Sequence, residues 1–276
     1  MKKTFNIPGI TIVILTGIVV MGMLVFFTFN LNIARAAPGL YSMRSDISSR
    51  QTFDLVNKIV AFDYYYYGYR NQPELIFKFK EDENIVLLTF DAGSSTGYYR
   101  EVLSTLKEHG IHATFFVTGK WAENNMEAVT EIFDNGSDIA NHSYSHSNFV
   151  DSNLDTEDIK SQIERTESIV ESGNDITQLH FFRFPYGSYT KDMIQSVAKI
   201  GYIPFQWTID SLGWTGNLTP AGVKDRVIAN ISPGSIIMFH IGSQQDSQAL
   251  GPILEPIEDM NYGILSISEY LEYLYD

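Results

Sequence analysis

The sequence predicts an α/β barrel of about seven strands, preceded by an apolar N-terminal segment that enters or crosses a membrane. Three observations carry this. From about residue 83, short β-rich apolar runs alternate with helical ones in about seven units, the pattern of a mainly parallel sheet. Almost every such run ends in a polar or special residue: Asp91, Thr118, Asn141 with His142, Arg183, Asp210 and His240. In a barrel the C-terminal strand ends converge on one mouth, whereas an open sheet uses mainly the ends beside its switch point. Six strands feeding one site favour closure. The third observation is the N-terminus itself.

Lys2 and Lys3 precede residues 7–33, which contain no charged side chain, and residues 10–29 are dominated by Ile, Val, Leu, Met and Phe. A membrane-spanning helix needs about 20 apolar residues, whereas a signal-peptide core usually has about 7–15. Length favours a retained anchor, while Ala34-Arg35-Ala36 offers an arrangement that a signal peptidase cuts. Either reading leaves the two lysines inside and the rest of the chain outside the cytoplasmic membrane, tethered there or secreted. Residues 1–37 are therefore read as a tip plus anchor or signal. Residues 38–82 are read as a stalk or cap, with a short amphipathic helix at 45–59 and the aromatic cluster Tyr64-Tyr65-Tyr66-Tyr67-Gly68-Tyr69.

The main domain, 83–276, then unfolds in order. A strand at 84–91 precedes a helix at 98–108 that Gly110 closes, and a strand at 113–118 precedes a helix at 121–133 that Gly136 closes. A strand at 138–141 leads to a helix entered at Asp155, with Glu157 in its first turn. Runs at 178–184, 202–210, 235–240 and 263–266 read as strands, and 191–200, 220–230 and 248–260 as helices.

Composition narrows the function. Of 276 residues, 19 are Lys or Arg and 33 are Asp or Glu, a formal net charge of −14. Such an acid excess argues against nucleic acid as a partner, which would need a basic surface to displace counterions. There is no cysteine, so disulfides, thiolate nucleophiles and Cys-type zinc sites are excluded. Any metal must be held by His, carboxylate, carbonyl or water.

His142-Ser143-Tyr144-Ser145-His146 places two imidazoles four residues apart directly after a strand, a spacing that recurs in zinc sites. Asp91 ends the hydrophobic run 85–91, and a carboxylate at the tip of a buried strand needs hydrogen bonds or a cation. Arg183, inside Phe181-Phe182-Arg183-Phe184-Pro185-Tyr186-Gly187, is a cation in an aromatic run and needs an anion, for which Asp91 and Asp210 are the candidates. His240 is a titratable group at the end of 236–239.

Together, Thr89-Phe90-Asp91-Ala92-Gly93, His142 to His146, Arg183-Phe184-Pro185-Tyr186, Asp210-Ser211-Leu212-Gly213-Trp214 and Ile237-Met238-Phe239-His240 resemble the five ordered motifs of the polysaccharide deacetylase family. This is the NodB-homology domain, or carbohydrate esterase family 4, and the resemblance covers about residues 83–272. It implies a distorted (β/α)7 barrel and a metal-dependent hydrolase that removes acetyl groups from an N-acetylated polysaccharide. His142 and His146 would then bind a divalent ion, commonly zinc, and Asp91 would be the general base. The backbone N–H of Tyr186 would hold the oxyanion. Arg183 would orient Asp91 with Asp210 as its counter-anion, and His240 would be the general acid. Trp214, Ile237 and Phe239 would shape the pocket for the acetyl methyl group.

Two positions depart from the family pattern. Most members carry a second aspartate, the third metal ligand, where this chain has Ala92, so Asp91 or water would have to complete the shell. Gly213 stands where many members have Asp before Trp. The leading expectation is an extracytoplasmic deacetylase acting on a cell-wall or exported polysaccharide such as peptidoglycan. The alternative is a non-catalytic carbohydrate-binding protein that has lost its metal.

Overall fold

The computed structural model describes residues 4–7, 10–13, 49–79, 83–93, 95, 97–172 and 176–275. It divides into two compact units, residues 1–47 and 48–276. In the first, β1 (Thr4–Ile7) and β2 (Ile10–Val13) pair antiparallel, where the apolar run had been read as the start of a helix. Ile10-Thr11-Ile12-Val13 is wholly β-branched, which suits a strand. The remainder of the expected anchor or signal, 14–37, lies outside the described residues. No helix among the described residues is long and apolar enough to cross a membrane.

The second unit is a curled, wholly parallel sheet wrapped by helices, of the (β/α) barrel type. Its strands are β3 (Ile85–Ala92), β4 (Thr114–Val117), β5 (Asp138–Asn141), β6 (Leu179–Phe182), β7 (Ile203–Pro204), β8 (Ile209–Asp210), β9 (Ile236–His240) and β10 (Gly263–Leu265). They run in the order β7-β6-β5-β4-β3-β9-β8, with β10 against the start of β3. The expected single run 202–210 is in fact two short strands at opposite ends of this order. Pro204 has no N–H to continue a ladder, which favours the break. Residues 76–79 span the gap: Ile76 N donates to Pro204 O (3.0 Å), Gln206 N to Ile76 O (2.8 Å) and Phe79 N to Gly234 O (3.0 Å).

Alternation along β3 sorts the side chains into two layers. Val86, Leu88 and Phe90 pack in the outer layer beneath the helices, with Phe115 and Phe239 stacked on Phe90 at 5.0 and 5.5 Å. Leu87, Phe116, Phe181, Phe205 and Ile236 fill the inner layer. The helices start and stop on the residues that satisfy their free backbone groups. Thr118, Thr190, Thr219 and Ser243 accept N-terminal N–H groups, Asp155 and Asp158 form a capping box, and Gly110 takes a left-handed C-cap at φ 66°. The expected helix 121–133 is broken into Gly119–Asn124 and Met126–Asp134, because Asn125 leaves helical geometry (φ −139°, ψ 40°) and its side chain caps Trp121 O at 2.8 Å.

Of the stretch before residue 83, residues 48 onward belong to this unit, and 38–48 lie outside the described residues. Its helix, Ser49–Tyr69, is longer than the 45–59 segment expected and takes in the tyrosine cluster. Phe62 meets Phe181 (5.6 Å), Tyr66 Oη donates to Ala198 O (2.6 Å), and Lys58 Nζ donates to Asp138 Oδ1 (2.9 Å).

Candidate active site

The C-terminal strand ends place the chemistry. Asp91 and His240 occupy one rung of the parallel β3–β9 ladder, so their side chains emerge on the same face. Arg183 follows β6, is wholly buried and stacks its guanidinium 4.0 Å over the Phe116 ring. Its Nη1 donates to Asp91 Oδ1 (2.7 Å) and to Thr89 Oγ1 (3.1 Å), and its Nη2 to Gln206 O (3.2 Å). The Arg183–Asp91 pair expected from sequence is present.

His142 follows β5 and is buried. Its Nδ1 lies 2.9 Å from Arg183 O, and since a carbonyl can only accept, Nδ1 carries the proton. Nε2 then bears the lone pair, 3.4 Å from Asp91 Oδ2. Burial lowers the pKa of His142 to about 4, with Asp91 opposing the shift, so the ring is neutral at pH 7. For Asp91, burial raises the carboxyl pKa, but the nearby cations outweigh it and hold it below the usual range. With His142 neutral, Arg183 is the cation that keeps Asp91 ionised. His146, in a left-handed conformation at φ 57°, brings its ring to 4.9 Å from that of His142. Burial lowers its pKa as well.

The mouth carries two exposed aromatic rings. Tyr186, also left-handed (φ 59°) and 67% exposed, lies 4.7 Å from the His146 ring. Trp214, 55% exposed, lies 5.9 Å from the His240 ring.

Two expectations, Ile237 and Phe239, are corrected, and a third, Asp210, is refined. Asp210 makes no hydrogen bond to Arg183, but its charge still favours the guanidinium as a counter-anion at longer range. Its direct hydrogen bonds go elsewhere: Oδ1 accepts from Leu212 N (2.9 Å) and Trp214 Nε1 (3.3 Å), so it also holds the indole. Ile237 and Phe239 do not line the mouth. On a strand that presents His240 inward they point outward, into the layer beneath the helices, and Met238 takes the inward position opposite Thr89. Sequence reasoning also missed Thr89, Phe116 and the Gln206 carbonyl as partners of Arg183. For Thr89 the two-residue spacing from Asp91 was the available signal.

A divalent ion can be tested against these donors. Two ligands on one tetrahedral ion, each about 2.0–2.2 Å from it, lie about 3.4 Å apart, and His142 Nε2 and Asp91 Oδ2 have that separation. A third side chain is lacking. Ala92 offers no donor, and among the described residues no three His, Asp or Glu side chains converge to hold a metal. Catalytic zinc usually has three protein ligands. The residues present do not complete such a site, and no step below depends on one.

With this geometry in place, known proteins can be compared. Residues 78–205 match the family model for polysaccharide deacetylase. A chitooligosaccharide deacetylase of Sinorhizobium fredii is 30% identical over 164 residues, covering 59% of this chain and 75% of that protein. A peptidoglycan-N-acetylglucosamine deacetylase of Bacillus cereus is 29% identical, covering 74% and 68%. Bacillus subtilis YlxY is 28% identical over 73% of this chain, which spans 61% of that protein's length. Among solved structures, BA3943 of Bacillus anthracis, described as a pseudoenzyme of carbohydrate esterase family 4, superposes with a TM-score of 0.68 at 26% identity, covering 72% of this chain and 69% of that one. The fold and the strand-end site define a hydrolase-type (β/α) barrel of the carbohydrate esterases. The chain belongs to the polysaccharide deacetylase family.

Proposed function

We propose that this protein hydrolyses N-acetyl groups from a polysaccharide of the cell-wall or exported kind, peptidoglycan being the leading candidate. One observation carries the reading: a buried carboxylate, Asp91, is held ionised by Arg183 on the same strand rung as His240. Asp91 accepts the proton of the attacking water, and His240 returns a proton to the departing amine nitrogen. In this reading the oxyanion donor is the backbone N–H of Tyr186, the role that the family resemblance implies for it. Arg183 takes no proton and fixes the orientation and charge of Asp91. Tyr186 and Trp214 offer faces on which sugar rings pack. The relatives named for chitooligosaccharide and peptidoglycan substrates support an N-acetylated glycan. The apolar run 10–29 supports an extracytoplasmic position, either membrane-tethered or secreted.

A specific observation also favours a second reading, a glycan-binding protein without catalysis. The donor set lacks a third ligand at Ala92, and the structurally similar BA3943 is described as a pseudoenzyme, one mutant of which is described as having restored activity. One experiment separates the two: zinc content and acetate release measured together on N-acetylated glycans. Acetate release that Asp91→Asn abolishes supports hydrolysis. Glycan binding without acetate release, with or without added zinc, supports the second reading.

A further inference from the structure

Asp246 is a fully buried acid that none of the family motifs contains. It lies at the third position of the helix Gln244–Asp259, behind the N-cap Ser243, where an acidic residue ordinarily folds back onto the cap's own N–H. It does something else. Its Oδ2 accepts from the backbone N of His240 at 2.9 Å, reaching past the cap to the end of β9. Its other oxygen, Oδ1, is buried without a hydrogen-bond partner, and so is Nδ1 of the His240 ring. Two orphaned polar atoms, one an acceptor and one able to donate, thus belong to residues already joined by a hydrogen bond. An unpaired buried polar group costs about 1–3 kcal/mol, so pairing them is the economical use of both. Burial also raises the carboxyl pKa of Asp246, against the opposing pull of the Ser211 and Ser243 hydroxyls and the His240 backbone N–H.

The turn after β8 supplies an independent observation. A Cβ placed on Gly213 would collide with Asp246 Oδ1. Gly213 is not among the residues of positive φ, so its backbone conformation accepts a side chain; what excludes one is chiefly the Asp246 carboxylate, with the Asp246 backbone N next at 3.1 Å. The space a residue-213 side chain would enter is therefore already filled by a carboxylate from another element, in contact with His240.

We infer that Asp246 is the positioning carboxylate of His240, accepting from Nδ1–H and so directing Nε2 into the mouth, in the place that an acid at position 213 would otherwise occupy. The inference rests on the proposed reading of His240 as general acid. A triad-like aspartate sets its histidine's tautomer in the same way.

The test uses the full chain as Asp246→Asn, Asp246→Gly, and Asp246→Gly combined with Gly213→Asp. The first readout is the 15N shifts of the His240 ring at a pH where it is neutral, assigned against His240→Gln. The parent should carry its proton on Nδ1, both single variants should shift it towards Nε2, and the relocated carboxylate should restore Nδ1–H. The second readout is acetate release. Here kcat should fall on the order of 10²-fold in the single variants with KM little changed, and the relocation variant should recover about tenfold or more. A tautomer that does not move in either single variant overturns the inference, whatever happens to kcat, and leaves Asp246 a helix-capping residue. If the tautomer moves as expected but the parent releases no acetate, the inference holds and the hydrolase reading fails.

Discussion

Lys58→Met is the substitution that best tests how the N-terminal helix is held to the barrel. Lys58 Nζ donates to Asp138 Oδ1 at 2.9 Å and to Gly136 O at 3.1 Å, and the Asp138 side chain is fully buried. Asp138 also accepts from Thr114 Oγ1 (2.9 Å), Ser268 Oγ (2.6 Å) and Ser268 N (3.1 Å), so one carboxylate joins four elements at the N-terminal end of the sheet. Methionine keeps most of the apolar stem and removes only the charge. Breaking a buried pair by deleting one partner costs about 3–5 kcal/mol. Because three donors to Asp138 survive, the lower end, about 3 kcal/mol, is expected. For a domain of this size that lowers Tm by about 6–12 °C. Burial pushes the Asp138 carboxyl up, but Lys58 and Ser268 bring it below the usual range. A depressed folded pKa stabilises above the unfolded value of about 4 and is lost as pH falls through the folded one. In Lys58→Met the carboxyl pKa rises, so the deficit should be greatest at pH 7 and shrink towards pH 4. Urea melts of parent and variant at pH 7 and 4.5 measure this. A loss below about 1 kcal/mol, or one equal at both pH values, would refute the reasoning.

Four further expectations concern the site. Arg183→Met should cost about 3–5 kcal/mol and raise the Asp91 pKa, and an unmoved 13C carboxyl titration would show that another group holds the charge. Asp210→Ala should cost about 1–3 kcal/mol and loosen the Trp214 indole. Weakened glycan binding, read by tryptophan fluorescence, checks it, and unchanged affinity contradicts the assignment. Ala92→Asp supplies the carboxylate that the family pattern carries at this position, and should tighten zinc about tenfold or more, roughly 1.4 kcal/mol. Unchanged affinity by calorimetry would show that position 92 does not reach the ion. His240→Ala should lower acetate release on the order of 10²–10⁴-fold and remove the alkaline limb of the pH profile, while survival of that limb rules the ring out as the acid.

The strands were legible because each is an apolar run ended by a polar group, and Gly110 and Gly136 punctuate the helices. What escaped has local causes. Nothing in 202–210 showed that Pro204 ends one strand and Ile209 begins another at the far edge, since periodicity does not encode which neighbour a strand meets. Ile237 and Phe239 were placed at the mouth because they precede His240 in a motif. Counting in twos from His240 would have put Met238 there instead. Arg183 and Asp91 were paired correctly because a buried cation on one strand end and a buried anion on another leave few alternatives. Asp210 acts on Arg183 only through its charge, because its Asx-type turn takes up the direct hydrogen bonds locally, and residue type alone does not show that division. The sequence leaves the tyrosine-rich stretch open between a stalk and a cap, since a helix that covers the base of a barrel reads like any amphipathic helix; the packing of Phe62 and Tyr66 decides for the cap.

The two halves of the site depend on different parts of the fold. Asp91 and His240 sit on one rung between adjacent strands, which in a sheet lie about 4.7–4.9 Å apart. A one-residue slip of either strand would turn its group into the outer apolar layer, so selection for the core also holds this pair in place. Of the candidate metal donors Asp91 shares that protection, but the others do not. His146 is carried by a loop in a left-handed conformation, and the missing third donor is a single side chain at Ala92. Metal affinity can therefore drift by one substitution while the Asp91–Arg183–His240 arrangement stays intact, and an intact arrangement is not evidence of a bound ion. Zinc occupancy and the pH dependence of any activity must accordingly be measured as separate quantities. Should Ala92→Asp raise zinc affinity while the Asp91 carboxyl titration stays where it was, the two halves are separable. A coupled shift in both would mean that Asp91 is itself a ligand.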